Sequence, residues 1–376
     1  MNKRAITHMR KVPLLIPDMP STDALIPWLR QIDENLWYTN FGPLGARLES
    51  RLLEALEDGA PLHIALTANA TLALELALGA LRLPPNSTVL TPALTFVATG
   101  TAILRAGCQP VFADVDDKSW LLTPAIARKA VAECEVRAIM PVATFGCPQD
   151  AHAWDVFSRE TGIPVIVDAA GAFGNQRIGT DATFVFSFHA TKALGAGEGG
   201  CVVGTQAPLI ERVRFGTNFG IEPEQEGRVF HAGTNAKMSE YHAAVGHAAL
   251  DQWRARKTRI LELKALYRQE LSILGDRVRA QAGTESNVQA ILPLRVITRH
   301  DLAHFASQLG SAGIGTRRWY CPPLYEHPLF SSCAHAGALD NTRSLAKQIL
   351  GLPFHSRLTA EDIRYVVHEL RACLDT

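Results

Sequence analysis

The stretch Phe184-Val-Phe-Ser-Phe-His-Ala-Thr-Lys-Ala-Leu-Gly-Ala-Gly-Glu-Gly-Gly-Cys-Val-Val203 sets one lysine, Lys192, between an apolar β-type run and a glycine-rich turn. An amine held on a turn at the end of a buried strand is kept deprotonated by desolvation, and a neutral amine condenses with aldehydes. Upstream, Val165-Ile-Val-Asp-Ala-Ala170 ends another apolar run on Asp168. A carboxylate buried there needs a cationic or hydrogen-bonding partner, and a pyridinium nitrogen is one. A lysine for the aldehyde and an aspartate for the ring nitrogen are the two groups a pyridoxal 5'-phosphate (PLP) site requires of its protein.

Outward from this stretch, residues 66–204 alternate apolar β-type runs with helical stretches, the pattern of an α/β layered domain with a mainly parallel sheet. Strands are expected at 89–93, 110–115, 138–143, 165–169, 183–188 and 201–204, and an alanine- and leucine-rich helix at 72–81. Such sheets carry their chemistry at the carboxyl ends of strands, where Asp168 and Ser187 fall. A long helix or two is expected over 237–274, then a second β/α pattern with a strand within 288–296, a helix over 301–312 and another over 359–374 with Thr359 as its N-cap.

A chain of 376 residues exceeds the usual single-core size, so two domains are expected, a large α/β domain over 1–250 and a smaller C-terminal α/β domain over 251–376. Lys+Arg and Asp+Glu balance at 37 each, which argues against a nucleic-acid or anionic-membrane footprint. The basic start Met1-Asn-Lys-Arg4 is followed only by a short apolar run, Val12 to Ile16, broken by Pro13, so no targeting segment is read and no membrane span is expected. Seven scattered cysteines without C-x-x-C or metal-ligand spacing fit reduced thiols in a soluble cytoplasmic protein with no metal centre. Cys201, close to Lys192, reads as a small buried hydrophobe at a strand start.

Six short motifs in order carry a resemblance over about Trp37 to Leu370: Tyr38-Thr-Asn-Phe-Gly-Pro43, Thr67-Ala-Asn-Ala-Thr-Leu-Ala-Leu74, Thr91-Pro-Ala-Leu-Thr-Phe-Val-Ala-Thr99, Asp168-Ala-Ala170, Ser187-Phe-His-Ala-Thr-Lys192 and Gly233-Thr-Asn-Ala-Lys-Met-Ser-Glu240. Together they resemble the DegT/StrS family of PLP-dependent nucleotide-sugar aminotransferases, which implies an aspartate-aminotransferase-like fold. The resemblance implies that Lys192 binds the coenzyme and moves protons, and that Asp168 holds the ring nitrogen. It also implies that Ala70, Thr71 and Ser187 hold the phosphate, Phe96 stacks on the ring and Asn235 reaches across from a second subunit of a homodimer with shared active sites. Two departures are visible: the family usually has glycine where Ala70 stands, and a polar side chain where Gly171 stands. His189 resembles the members that aminate C4 of the sugar. Arg317, Arg318 and Tyr320, before Cys321-Pro-Pro-Leu324, resemble a loop that faces the nucleotide diphosphate.

The bland alternative for each of these is structural: an N-cap for Thr71, core packing for Phe96, Ser187 and His189, and a solvated charge pair for Arg317 and Arg318. The expected reaction transfers an amino group from L-glutamate to a nucleotide-linked 4-keto-6-deoxy sugar, such as dTDP-4-keto-6-deoxyglucose. The rivals are C3 amination or dehydration of a sugar or cyclitol, and a non-catalytic regulator on the same scaffold.

Overall fold

The computed structural model describes residues 10–56, 61–222 and 226–375; Met1–Arg4 lie outside them. Seven strands open the fold: β1 His63–Thr67, β2 Thr88–Pro92, β3 Gln109–Ala113, β4 Ala138–Ile139, β5 Ile166–Asp168, β6 Thr183–Ser187 and β7 Gly200–Gly204. A two-stranded ribbon, β8 Ile221–Glu222 and β9 Arg228–Val229, precedes β10 Val278–Ala280, β11 Leu292–Val296, β12 Ala334–Ala336 and β13 Ile349–Leu352. Bridges Ile139↔Val165 and Val142↔Asp168 join two four-stranded ladders into one sheet of order β1-β7-β6-β5-β4-β2-β3-β12. Its pairings are parallel except those of β7, which runs antiparallel to β1 and β6. β1 and β12 add to the six strands expected.

The strands read as continuous apolar runs because both faces of the sheet are covered. Alternate residues feed opposite cores. Phe184, Phe186, Val167, Leu90 and Val203 enter one core with helices Ala151–Thr161 and Glu240–Leu271. Val185, Ile166, Val89 and Val202 enter the other with helices Ala70–Ala80 and Ala207–Thr217. Each such side chain contributes about 1.5–3 kcal/mol by leaving water.

A further core gathers β10, β11 and β13, in that order and antiparallel, with helices Leu302–Ser311 and Ala360–Asp375. Val12 joins it through a bridge to Ile314. Helix Glu240–Leu271 is shared, with Ala243, Ala244, Ala248 and Ala249 in the sheet core and Ile260, Leu263, Tyr267 and Leu271 in the further core. The 250/251 boundary read from the sequence falls inside it. Thr359 caps the last helix as expected, its hydroxyl accepting from the Asp362 amide at 3.1 Å.

Three expectations are corrected. The strand expected at 138–143 ends as a ladder at Ile139, because Pro141 has no N–H to donate; pairing resumes only as the isolated bridge at Val142. The strand expected within 288–296 begins at Leu292, because Val288 gives its amide and carbonyl to the Asn175 side chain instead. The long helix begins at Glu240, not at Lys237: Ser239 caps it, and Ala236 is extended, accepting from the Ala68 amide and donating to Thr217.

Candidate active site

Asp168 ends β5 and is 5% exposed. Its Oδ2 accepts from the Thr99 hydroxyl at 2.8 Å and its Oδ1 from the Ala170 amide at 3.1 Å. Burial pushes its carboxyl above the usual range, while Thr99, Ala170 and the charge of Lys192 pull it back. Lys192 follows β6 on a loop closed by backbone bonds from Phe188 to Gly199 and from Ala190 to Gly197. Burial lowers the proton affinity of its amine and the Asp168 charge raises it, so the two groups share one electrostatic neighbourhood. The Lys192 amine makes no hydrogen bond to a described residue, and Arg256 braces the loop from behind by donating to the Lys192 carbonyl at 3.4 Å.

Two glycines in this loop are demanded, one by its backbone conformation and one by contact with the main chain. Gly199 has φ +143°, and a Cβ there would lie 2.6 Å from Met238; a Cβ on Gly195 would lie 2.7 Å from the Ala190 carbonyl. Cys201, the second residue of β7, is fully buried, and burial raises its thiol, so it fits packing and not nucleophilic work.

Helix Ala70–Ala80 follows β1 with its positive end against β7. Asn69 caps it, accepting the Leu72 amide on its side chain at 2.9 Å and the Ala73 amide on its carbonyl. The amides of Ala70 and Thr71 are left to meet an anion at the positive end of the helix. Gly200 of β7 lies against this turn, since a Cβ on it would be 2.8 Å from the Ala70 nitrogen. Ser187, at the end of β6, accepts the His189 amide at 3.3 Å and keeps its hydroxyl hydrogen to donate.

Phe96 is the N-cap residue of helix Val97–Arg105 and is 54% exposed, which a phenylalanine serving only the core would not be. Tyr320 stacks on Phe145 with ring centres 5.1 Å apart and planes 4° from parallel, and lies 6.4 Å from Phe96. Burial and the nearby Asp168 charge raise the Tyr320 phenol, with Arg317 opposing, which places Tyr320 by the carboxylate. Arg317 also lies 5.8 Å over Trp319. Arg318 turns elsewhere, 3.7 Å from Asp301.

His189 is set by the Thr191 hydroxyl, 2.8 Å from its Nδ1, and has Glu198 at 3.7 Å from Nε2. Asn235 is exposed and accepts from Lys237 at 2.8 Å, so within one chain its side chain is not brought to the Lys192–Asp168 group. Gly171 has a steric cause: a Cβ there would lie 3.2 Å from the Gly146 nitrogen, and Gly146, at φ +85°, would itself meet the Gly171 carbonyl.

The residues present fit PLP. A desolvated amine, a carboxylate whose proton affinity is raised by burial, an open aromatic face and a helix end with unused amides are what its aldehyde, ring nitrogen, ring and phosphate require. Sequence reading missed Thr99 and Phe145. Thr99 stood inside a quoted motif, but a threonine spacing carries no sign of which strand end its hydroxyl will meet.

Residues 22–371 match the model of the DegT/DnrJ/EryC1/StrS aminotransferase family. The chain is 30% identical over 368 residues to a dTDP-4-amino-4,6-dideoxy-D-glucose transaminase of Shigella dysenteriae, covering 94% of this chain and 97% of that one. It is 31% identical over 310 residues to a dTDP-3-amino-3,4,6-trideoxy-alpha-D-glucose transaminase of Streptomyces venezuelae, covering 80% and 79%. Among solved structures, a putative PLP-dependent aminotransferase from Bacillus cereus superposes with a TM-score of 0.90 at 27% identity, covering 96% of this chain and all of that one. The chain thus belongs to the DegT/DnrJ/EryC1/StrS aminotransferase family and is a PLP-dependent sugar aminotransferase.

Proposed function

We propose that the enzyme moves an amino group from L-glutamate to C4 of a nucleotide-linked 4-keto-6-deoxy sugar, with dTDP-4-keto-6-deoxyglucose as the first substrate to try. The coupled, buried pair Lys192 and Asp168 beside an anion-ready helix end carries the amino-transfer reading. The choice of C4 rests on similarity to the Shigella transaminase and on His189 in Phe188-His-Ala-Thr-Lys192.

PLP supplies an aldehyde that accepts the amine and a ring that draws electrons from the reacting C–H bond. Lys192, low in proton affinity through burial, takes the proton from the glutamate carbon and later delivers one to C4 of the sugar. Asp168 keeps the ring nitrogen protonated, and its raised proton affinity is relieved by that cation. The amides of Ala70 and Thr71 and the Ser187 hydroxyl bind the phosphate, and Phe96 covers one ring face. Arg317 and the Tyr320 hydroxyl face the diphosphate-linked sugar; Arg318, held by Asp301, sets the loop. His189, oriented by Thr191, sits beside the reacting sugar carbon.

Two copies form a homodimer in which the outward-facing Asn235 completes the neighbour's phosphate site. The enzyme works in the cytoplasm; no helix among the described residues is long and apolar enough to cross a membrane. Similarity to the Streptomyces C3 transaminase favours a second reading, C3 amination. Incubation with glutamate and 4-keto or 3-keto dTDP sugars, with products read by mass spectrometry and NMR, decides between them. A 4-amino product at much higher kcat/KM supports C4, and equal or faster turnover of the 3-keto compound overturns it.

A further inference from the structure

Threonines in helices commonly satisfy their hydroxyls by bonding back to the carbonyl four residues earlier, and Thr101 does this, donating to Val97 at 2.9 Å. Thr99, half a turn away on the same helix, does not. Its hydroxyl leaves the helix and reaches Asp168, 69 residues on, at 2.8 Å. Behind it the Thr95 hydroxyl lies 2.9 Å from that of Thr99, and both threonines are buried, at 1% and 0% exposure.

The direction of this chain of hydrogen bonds is set by valence. An ionised carboxylate only accepts, so the single Thr99 hydrogen points at Oδ2, and Thr95 must be the donor to Thr99. Two hydroxyl dipoles therefore align toward one carboxylate, each strengthening the other in a dry surrounding. The charged or titratable side chains acting on the same carboxylate are Lys192 from the loop after β6 and Tyr320 from the loop before Leu324. The same turn of chain carries Phe96, so one short segment presents both the ring-stacking face and the hydroxyls behind the carboxylate.

We infer that Thr99, backed by Thr95, is a positioning residue that holds Asp168 ionised and oriented so that the coenzyme's ring nitrogen keeps its proton. The inference rests on the assignment of Asp168 to that nitrogen. Without the Thr99 hydroxyl the proton moves toward Asp168, the ring withdraws electrons less strongly, and proton removal from substrate slows. Neither substrate's binding groups are touched.

The test uses the holoenzyme loaded with coenzyme labelled with nitrogen-15 in the ring, whose chemical shift separates pyridinium from neutral pyridine. Thr99→Val keeps the shape and removes the hydroxyl; it should move the shift toward neutral pyridine and lower kcat by about ten- to a hundredfold, the worth of a hydrogen bond to a charge. KM values for both substrates should stay within about threefold, in keeping with a loss confined to the reacting state. Thr99→Ser should restore both shift and rate, and Thr95→Val should show the same signature at a few-fold size. A pyridinium shift and normal kcat in Thr99→Val overturn the inference, as does a Thr99→Ser variant no better than valine. Asp168→Asn in the same experiment separates the two assignments. If it leaves the ring protonated, the Asp168 reading fails; if it removes the proton while Thr99→Val does not, only the Thr99 inference fails. Should Thr99→Val not fold, the serine and Thr95→Val variants carry the decision: no change of shift in Thr95→Val overturns the relay.

Discussion

Around Asp168 most contributors sit on a strand end or in the first turn of a helix packed on one sheet, with Lys192 on the loop after β6, whereas Arg317 and Tyr320 ride on a loop that crosses between cores. The first group is held by regular elements: Asp168 by β5, Ser187 by β6, Thr99 and Phe96 by helix Val97–Arg105, and the amides of Ala70 and Thr71 by helix Ala70–Ala80. The loop is tied at its ends, by paired backbone bonds between Arg317 and Gly351 and by the Leu324 amide to Ala93. Between them it is held by the stack of Tyr320 on Phe145 and by Arg318, 3.7 Å from Asp301. Rigid elements position a group more sharply than loops do. On the proposed reading, the sheet and the loop after β6 would fix the coenzyme's chemistry, and the sugar would meet the part that sequence changes can reshape without disturbing that chemistry.

The largest break should come at Lys192. Lys192→Ala should leave the sheet intact and remove the proposed proton carrier, and turnover should fall by about a hundred- to ten-thousandfold. Borohydride reduction and peptide mapping of the native enzyme should label Lys192, and label on another lysine would reassign the site.

Asp168→Asn should fold, because the amide oxygen can still accept from the Ala170 N–H while its NH2 donates to the Thr99 hydroxyl, which can turn to Thr95. It should lose about a hundredfold or more in kcat, since an amide cannot hold a pyridinium as a carboxylate does. Near-normal turnover would reduce Asp168 to a strand-end cap.

At the sugar end the losses should be smaller and confined to one half-reaction. Tyr320→Ala removes the Phe145 stack and should lower kcat/KM for the keto sugar by up to about tenfold more than Tyr320→Phe, which keeps it. The single-turnover rate with glutamate should move little in either variant. If both half-reactions fall together, the loop supports the coenzyme as much as the sugar, and the contrast between the two ends collapses.

The smallest effect lies in the scaffold shared by both. His247 is fully buried, stacks on Trp28 at 4.2 Å, donates from Nε2 to the Leu44 carbonyl and accepts from Arg51 at Nδ1. Burial is the main cause that lowers its pKa to about 4 from 6.5. The unfolded chain therefore binds a proton that the folded chain refuses, and stability falls as pH drops from 6.5 toward 4, by at most about 1.4 kcal/mol per pH unit. His247→Gln should flatten that slope in thermal unfolding while leaving the pH profile of kcat unchanged.

The element types were legible because both faces of the sheet are covered, so strands appear as unbroken apolar runs and helices as alanine- and leucine-rich stretches. Lys192 and Asp168 were legible for a related reason: ionisable groups closing such runs are rare and expensive to bury. Element ends were less so, since Pro141, Asn175 and Ser239 decide them through the hydrogen bonds each supplies or withholds.

By itself, then, the chain's sequence determined the α/β layering, a carboxylate at a strand end, an amine on the loop after the next strand, and a helix start after β1, because each depends on neighbours within a few residues. Only the tertiary structure decided that Thr99 faces Asp168, that Tyr320 comes to the same carboxylate while Arg318 turns to Asp301, and that Gly146 packs tightly against Gly171. Those contacts follow from the strand order β5-β4-β2 and from where a crossing loop is pinned. Hydrophobic periodicity sets which face of an element is buried, but it is blind to which element becomes its neighbour.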